Sequence, residues 1–579
     1  MKKGILGLRD SRTGAALAHS GFALTVSLIL LSPMFLTGRT FGPDWTNHLW
    51  VMNAQADSIS QGGPSLFLHA DQVGVFYPHF AFYGGTLYAF GGAISAVLGG
   101  QSVVAYLVLW LAGFMMAYGG MFWLSVQAGL GGWQAHIAPL VLLTSAFYVT
   151  NAFARGVLPE LIAVSAIPLL LAAVLAMARA PKLTFWPCAA FVLAATVFTG
   201  SHNLTLVWGT IAIGALAVVA VLTVPALRRV PARRLLAIAG LGSLAVAVNA
   251  WFLLPDLFYA HDTVASSPDD GLVYASDFFN TPANLFSLVR RAPDESNTAD
   301  LDAQLPVLVG LWVLVVAGLC ARFGMAKVRV RIAAAVAAVL AVFMGLLMMN
   351  WPWDYLPATL TIIQFSYRLE SYVVIVLALL IAVLLRATDF WHGSGRRAAR
   401  GAQIALVVIV AVGFVQAVVQ GWGTESFTPP NGPQQSRSEA LASTTRLPSA
   451  WYAGGDYRDR SAPLLAASTT VQVDPADVED DRATLKLAGP AGQLVATNIA
   501  AGDYLVKVSG AHQAGRDGNG FAVLAATQTG TQPVTASVQP REPPAVVLGR
   551  WITVAALVTL TIAVLLCAYR FISRRRGAA

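Results

Sequence analysis

Runs of roughly twenty apolar residues, parted by short basic loops, recur along this chain of 579 residues. Such a run spans a hydrocarbon layer about 30 Å thick at the 1.5 Å rise of a helix. Lipid offers a backbone no water to bond, so a spanning run must satisfy its own N–H and C=O groups as a helix. The runs occupy about 15–37, 102–126, 133–151, 157–178, 183–199, 203–225, 235–254, 305–322, 332–349, 370–386, 402–420 and 546–569. The chain therefore reads as an all-α polytopic membrane protein with about 12 transmembrane helices. Composition agrees: 56% of residues are hydrophobic and only 11% charged, against about 25% charged in soluble domains. That excludes an ordinary soluble enzyme. The net charge of +8 is dispersed through loops and is not gathered with aromatics, so no nucleic acid is expected as a partner. Cys188, Cys320 and Cys567 lie inside apolar runs with no pairing or metal-ligand spacing and read as packing.

Charge sets the expected topology. Residues 76–99 are long enough to cross but are broken by Gly84, Gly85, Gly91 and Gly92. If they crossed, Arg228, Arg229, Arg233 and Arg234 would face outward, against the positive-inside rule. Laid on the outer surface as an interfacial helix, they leave 22 of the 37 Lys and Arg cytoplasmic and 27 of the 29 acids external or at the external edge. This reading puts both termini in the cytoplasm and the long polar loops on the external face.

Three units follow. Residues 1–420 form the transmembrane domain, with external loops at 38–101 and 255–304, the latter offering Phe278, Phe279 and Phe286 for docking. Residues 421–545 are the expected external domain. They open on the Pro- and Gln-rich linker Thr428–Ser438 and continue through alternating stretches at 484–487, 493–499, 504–509 and 521–527, the pattern of a small β-sandwich. Residues 546–579 return as a helix and a basic tail.

Polar residues at a membrane edge are costly and are functional candidates. Asp44 and His48, spaced four apart in Gly42-Pro-Asp-Trp-Thr-Asn-His48, would share a helix face. Partial burial there raises a carboxyl pKa and suits it to general-base work. Asp44 after Gly-Pro is also placed to cap a helix. Arg155 and Glu160 either pair with each other, or Arg155 grips a phosphate while Glu160 orients Arg155 or the acceptor. His202 reads as a structural residue at a helix end or as an assistant to Asp44. Arg368 opens an apolar span on the outer side and needs a carboxylate or a phosphate. No Walker loop, dinucleotide fingerprint, HExxH or GxSxG occurs, which disfavours nucleotide-driven and zinc-protease chemistry.

The ordered set Gly42–His48, Phe76-Tyr-Pro-His79, Arg155-Gly-Val-Leu-Pro-Glu160 and Gln364-Phe-Ser-Tyr-Arg368, over roughly 15–390, resembles a bacterial family labelled 6-pyruvoyl-tetrahydropterin synthase-related. It is similar in layout to YfhO-like proteins and the wider GT-C glycosyltransferases. Leu447–Tyr452 also looks like a segment of such proteins. The resemblance implies a GT-C-like fold and transfer of a sugar from a polyprenyl-phosphate donor to an external glycan or lipid acceptor. An acid in the first external loop would act as base, a position Asp44 matches. Such proteins often carry two adjacent acids there. Trp45 stands in that second place, so a divalent metal is unsupported and no cofactor is expected. Asp44 and His48 are then catalytic candidates, Arg155 and Arg368 hold the leaving phosphate, and Tyr77, His79, Glu160 and His202 support them. The competing readings are a transporter or flippase, and a non-catalytic assembly protein for envelope glycans.

Overall fold

A computed structural model describes residues 2–38, 41–71, 73–263, 286–287, 305–361, 363, 366–424, 458–487, 492–527 and 534–576. Phe278 and Phe279, the linker Thr428–Ser438, Leu447–Tyr452, Gln364 and Phe365 fall outside them.

The chain is a helical bundle with a β region near its C-terminus. The helices are α1 (Lys2–Leu30), α2 (Pro43–Gln61), α3 (Gly85–Val97), α4 (Ser102–Gln127), α5 (Gly132–Leu143), α6 (Ala146–Arg155), α7 (Leu158–Arg179), α8 (Phe185–Ser201), α9 (Asn203–Thr223), α10 (Ala232–Val248), α11 (Ala250–Tyr259), α12 (Val307–Phe323), α13 (Lys327–Met348), α14 (Glu370–Thr388), α15 (Ser394–Gly423) and α16 (Pro544–Arg576). Among the described residues seven helices are long and apolar enough to cross a membrane, and up to nine if the bent pairs α5–α6 (57°) and α10–α11 (78°) each count as one. The other three expected spans are shorter apolar helices, Gly14–Leu30, α8 and α12. The run at 15–37 stops at Leu30 because Pro33 cannot extend a helix, and a short helix, Ser32–Leu36, follows.

Residues 76–99 do not form the single helix expected of them. Phe76 and Tyr77 end a strand, His79–Phe82 makes one helical turn, and Gly84, at φ +57°, resets the chain before α3. At 13 residues α3 is about 20 Å long, too short to span. Its glycines serve packing: a Cβ on Gly92 would meet the backbone of Gln55 and Ala56 on α2 at 2.9 Å. The α4–α7 contact is made the same way. A Cβ on Gly113 would lie 2.7 Å from Ile162, and one on Gly120 2.6 Å from Pro168, so small residues seven apart let the two helices close up. α14 is buried along almost its whole length and forms the centre of the bundle. Cys320 is buried, but Cys567 is exposed on α16, outside any core.

The first loop holds the hairpin β1 (Leu68–Ala70) and β2 (Gly74–Tyr77), and a short parallel pair, β3 (Phe286–Ser287) and β4 (Leu305–Pro306), precedes α12. The C-terminal β region has two sheets. One runs β5 (Thr469–Thr470), β7 (Leu494–Ala496), β10 (Ala522–Ala526), β9 (Ala511–Arg516); the other runs β6 (Ala483–Leu487), β11 (Val534–Pro540), β8 (Val506–Ser509). β6 alternates buried and exposed residues as its sequence does, whereas β10, in the interior of its sheet, is buried throughout. The alternating stretches at 484–487, 493–499, 504–509 and 521–527 overlap β6, β7, β8 and β10; β5, β9 and β11 carried no such signal. The region docks on the first loop. Val75 bridges Ile499, and Asp481 accepts from Ser65 at 2.8 Å and pairs with His69 at 2.9 Å.

Candidate active site

The site starts from two glycines. Gly42, the N-cap of α2 at φ +71°, lies so close to Arg155 that a Cβ would run into the Arg155 carbonyl carbon. Gly156, the C-cap of α6 at φ +74°, returns the contact: its Cβ would meet Trp45 N at 2.8 Å. Both φ values belong to the left-handed region that glycine enters without cost. The two loops thus touch backbone to backbone, and Asp44, two residues past Gly42, comes up beside Arg155. The cap of α2 is Gly42, so Asp44 is not the capping residue; it sits in the first helical turn, where the helix dipole favours a negative charge.

Arg155 closes a π-helical turn, Thr150–Arg155, a geometry often found at functional sites. Its Nη1 donates to Asn151 Oδ1 at 2.8 Å and its Nη2 to Glu160 Oε2 at 3.4 Å, while the guanidinium lies over the Tyr367 ring at 5.2 Å. Arg368 approaches from the segment before α14, its Nε 3.4 Å from the same Glu160 oxygen. Glu160, in the first turn of α7, is buried between the two arginines. Both contacts are longer than the roughly 2.7–2.9 Å of tight charge-assisted hydrogen bonds.

Burial is the largest influence on Asp44 and raises its pKa above the ordinary carboxylate range; Arg155 and Arg368 pull it down and Glu160 pushes it up. His48 shares the Asp44 face but binds elsewhere: its Nδ1 lies 2.6 Å from the Tyr88 hydroxyl. Burial, helped by the Arg155 charge, lowers the His48 pKa to about 3, so the ring is neutral. His79, on the turn after β2, is likewise lowered to about 3 by burial and then by His48. Its ring stands 5.8 Å from Tyr88, 5.5 Å from Tyr83 and 6.2 Å from Tyr77. His202 is a helix cap. Its Nδ1 accepts the Thr205 N–H at 3.2 Å, which starts α9 and leaves that nitrogen no part in assisting Asp44, while its ring sits 5.5 Å from Tyr83.

The fold therefore draws Asp44, Arg155, Glu160 and Arg368 into one charged cluster, with His48, Tyr77 and His79 in an aromatic wall beside it. Sequence reasoning missed Asn151, Tyr83, Tyr88 and Tyr367. A polar Asn four residues before Arg155 in an apolar run was the available signal for the first, and Tyr367 stands next to Arg368 in its motif. Trp45 Nε1, Thr46 Oγ1, His48 Nε2, Asn151 Nδ2, Glu160 Oε1 and Ser366 Oγ are buried on these same segments with no hydrogen-bond partner among the described residues. Buried polar atoms are nearly always paired, so a concentration of unpaired ones is where a polar ligand would be received. Among the described residues no three His, Cys, Asp or Glu side chains gather to hold a metal.

No protein-family model and no curated protein matches the chain. Among solved structures it is similar to the arabinofuranosyltransferase AftD from Mycobacteria, with 16% identity, 70% of this chain and 27% of that one covered, and a TM-score of 0.41. It is similar also to the apo oligosaccharyltransferase of Archaeoglobus fulgidus (13% identity, 78% and 62% covered, TM-score 0.43). A third is ArnT from Cupriavidus metallidurans bound to undecaprenyl phosphate (13%, 75% and 78%, TM-score 0.40). These are GT-C fold glycosyltransferases. The chain spans about a quarter of the length of the mycobacterial protein and 62% of the archaeal one.

Proposed function

We propose that this multi-pass membrane protein is a glycosyltransferase of the GT-C kind, related in type to the 6-pyruvoyl-tetrahydropterin synthase-related and YfhO-like proteins its motifs resemble. It moves a sugar from a polyprenyl-phosphate donor to a glycan or lipid acceptor on the external face of a bacterial inner membrane. The observation that carries this reading is one partly buried carboxylate, Asp44, set by the Gly42–Arg155 contact against two guanidiniums that share Glu160.

In the transfer, Asp44 takes the proton of an acceptor hydroxyl as that oxygen attacks the anomeric carbon. The bond from the anomeric carbon to phosphate oxygen breaks, and the polyprenyl phosphate leaves with the bonding pair. Arg155 and Arg368 meet the charge growing on that phosphate, the role for which planar, permanently charged side chains are suited. Glu160 keeps both arginines aimed. His48, neutral, offers Nε2 to a sugar or acceptor hydroxyl, while Tyr77 and His79 shape the wall and His202 supports it from the start of α9. The donor is membrane-borne and already activated, so no nucleotide is required at this face.

The test is mass spectrometry of envelope glycolipids in a deletion strain complemented with the full chain, Asp44→Asn or Arg155→Lys at matched protein levels. The parent should restore a glycolipid that both variants leave missing. Full restoration by Asp44→Asn would set transfer chemistry aside in favour of transport or assembly.

A further inference from the structure

An apolar cavity lies at the other end of the helices that carry the candidate site. It is a cavity of about 460 Å³ enclosed by α4, α7, α9, α13 and α14, within the roughly 300–1,000 Å³ of small-molecule sites. Its wall is almost wholly aliphatic, built from residues such as Leu170, Val174, Leu216, Val336 and Leu379, and its lining includes three arginines, Arg179, Arg329 and Arg386. Glu160 and Arg179 mark opposite ends of α7, nineteen residues and so about 29 Å apart. That is about the thickness of a bilayer's hydrocarbon core.

Arg329 and Arg386 are crowded together around a single ring and share one neighbouring acid. Arg329 and Arg386 both stack on the Phe390 ring, at 3.9 and 4.6 Å. The acid bound there is Asp389, which takes Arg386 Nη1 at 2.8 Å on one oxygen and Gln134 at 2.9 Å on the other. Arg179 spends Nη1 on the Gln127 carbonyl at 3.1 Å. Arg386 Nε is buried with no hydrogen-bond partner among the described residues. Gly129 makes room for it, since a Cβ there would stand 2.9 Å from that nitrogen. An aliphatic pocket between membrane helices with three arginines in its lining is the charge and shape complement of an anionic lipid.

We propose that this cavity binds an anionic phospholipid, its phosphate on Arg329, Arg386 and Arg179 and an acyl chain in the aliphatic space. The site is separate from the Asp44 cluster and stands whether or not the transferase reading holds. Burying the chain removes apolar surface from competing lipid contacts only weakly, so selectivity comes from the phosphate and the guanidiniums. The lipid also offsets the repulsion between Arg329 and Arg386, which share the Phe390 ring, and by reaching Arg179 as well it ties α7, α13 and α14 together.

The probe is phosphatidylglycerol with a photoactivatable diazirine in one acyl chain, in phosphatidylcholine vesicles holding the full chain. Crosslinks should map to the cavity lining on α7, α9 and α13. Arg329→Gln with Arg386→Gln should cut them by about tenfold or more, which corresponds to about 1.4 kcal/mol, whereas Arg329→Lys with Arg386→Lys should keep most of them. Ala220→Trp fills the cavity with the arginines intact and should also abolish them, at an unchanged gel-filtration profile. Equal labelling by a phosphatidylcholine probe, labelling that survives both the Gln pair and Ala220→Trp, or displacement by undecaprenyl phosphate but not by unlabelled phosphatidylglycerol would overturn the proposal.

Discussion

Arg368 Nε and Glu160 Oε2 stand 3.4 Å apart, joining the segment before α14 to the first turn of α7. Because Arg155 reaches the same oxygen, one carboxylate neutralises two cations from different elements. Removing it leaves both arginines buried without their shared anion, a loss that for buried pairs runs to about 3 kcal/mol or more. Glu160→Gln should therefore lower the thermal unfolding midpoint of the detergent-solubilised protein more than Arg368→Gln does. The double variant should be less destabilised than the sum of the two, as expected for residues in contact.

Asp44 should show the opposite balance. Its folded pKa is raised by burial, so the protonated form is favoured more in the folded chain than in the unfolded one. A raised folded pKa contributes stability that is complete below the unfolded value and is lost as pH rises through the folded one. At neutral pH the ionised carboxylate is thus a burden, and Asp44→Asn should melt at the same temperature as the parent or higher. Transfer needs the ionised form, so the acid limb of the activity profile should lie above the ordinary carboxylate range. In the Asn variant activity should fall by about 10² to 10⁴. A variant that melts lower and keeps its activity would contradict both expectations.

The glycine contacts are open to the simplest substitution. At φ +71° and +74° a left-handed residue costs about 1–2 kcal/mol, and the new Cβ also strikes the opposite backbone. Gly42→Ala and Gly156→Ala should each reduce function strongly while every charged side chain remains present. Gly131→Ala, where nothing lies within 4 Å, is the control. Glycolipid analysis beside melting curves separates misplacement of Asp44 from unfolding.

Orientation is checked by single cysteines in a chain whose own cysteines are replaced by serine. With α3 too short to cross, Gln101→Cys, before α4, and Gly131→Cys, after it, should react with a membrane-impermeant thiol reagent from opposite sides, Gln101→Cys from outside. Labelling of both from the same side would refute the topology drawn from charge.

Much of the candidate site could be read from the chain because polar groups at the end of an apolar run stand out. Asp44, Arg155, Glu160 and Arg368 were each visible for that reason, and the bundle brings them together. What each one does there was not visible. His48 has the right spacing from Asp44 but is held by Tyr88, and His202 is held by the Thr205 N–H in the first turn of α9. The Tyr88 partner depends on α2 and α3 meeting in space, which i,i+4 arithmetic does not contain, whereas the His202 cap is a local contact three residues along.

Hydropathy by itself determined the architecture, since a bilayer tests each segment locally. Run length decides which stretches can span, and period-two alternation in β6 marks a sheet with one buried face. Only the tertiary structure decided where those helices bend, that residues 76–99 divide into strand, turn and short helix, and that Gly42 and Gly156 interlock to set a carboxylate beside two arginines. The reason is physical. Burial in lipid is close to a sum over a segment's own residues, whereas backbone contact, shared ion pairs and pKa shifts depend on which distant segment arrives alongside.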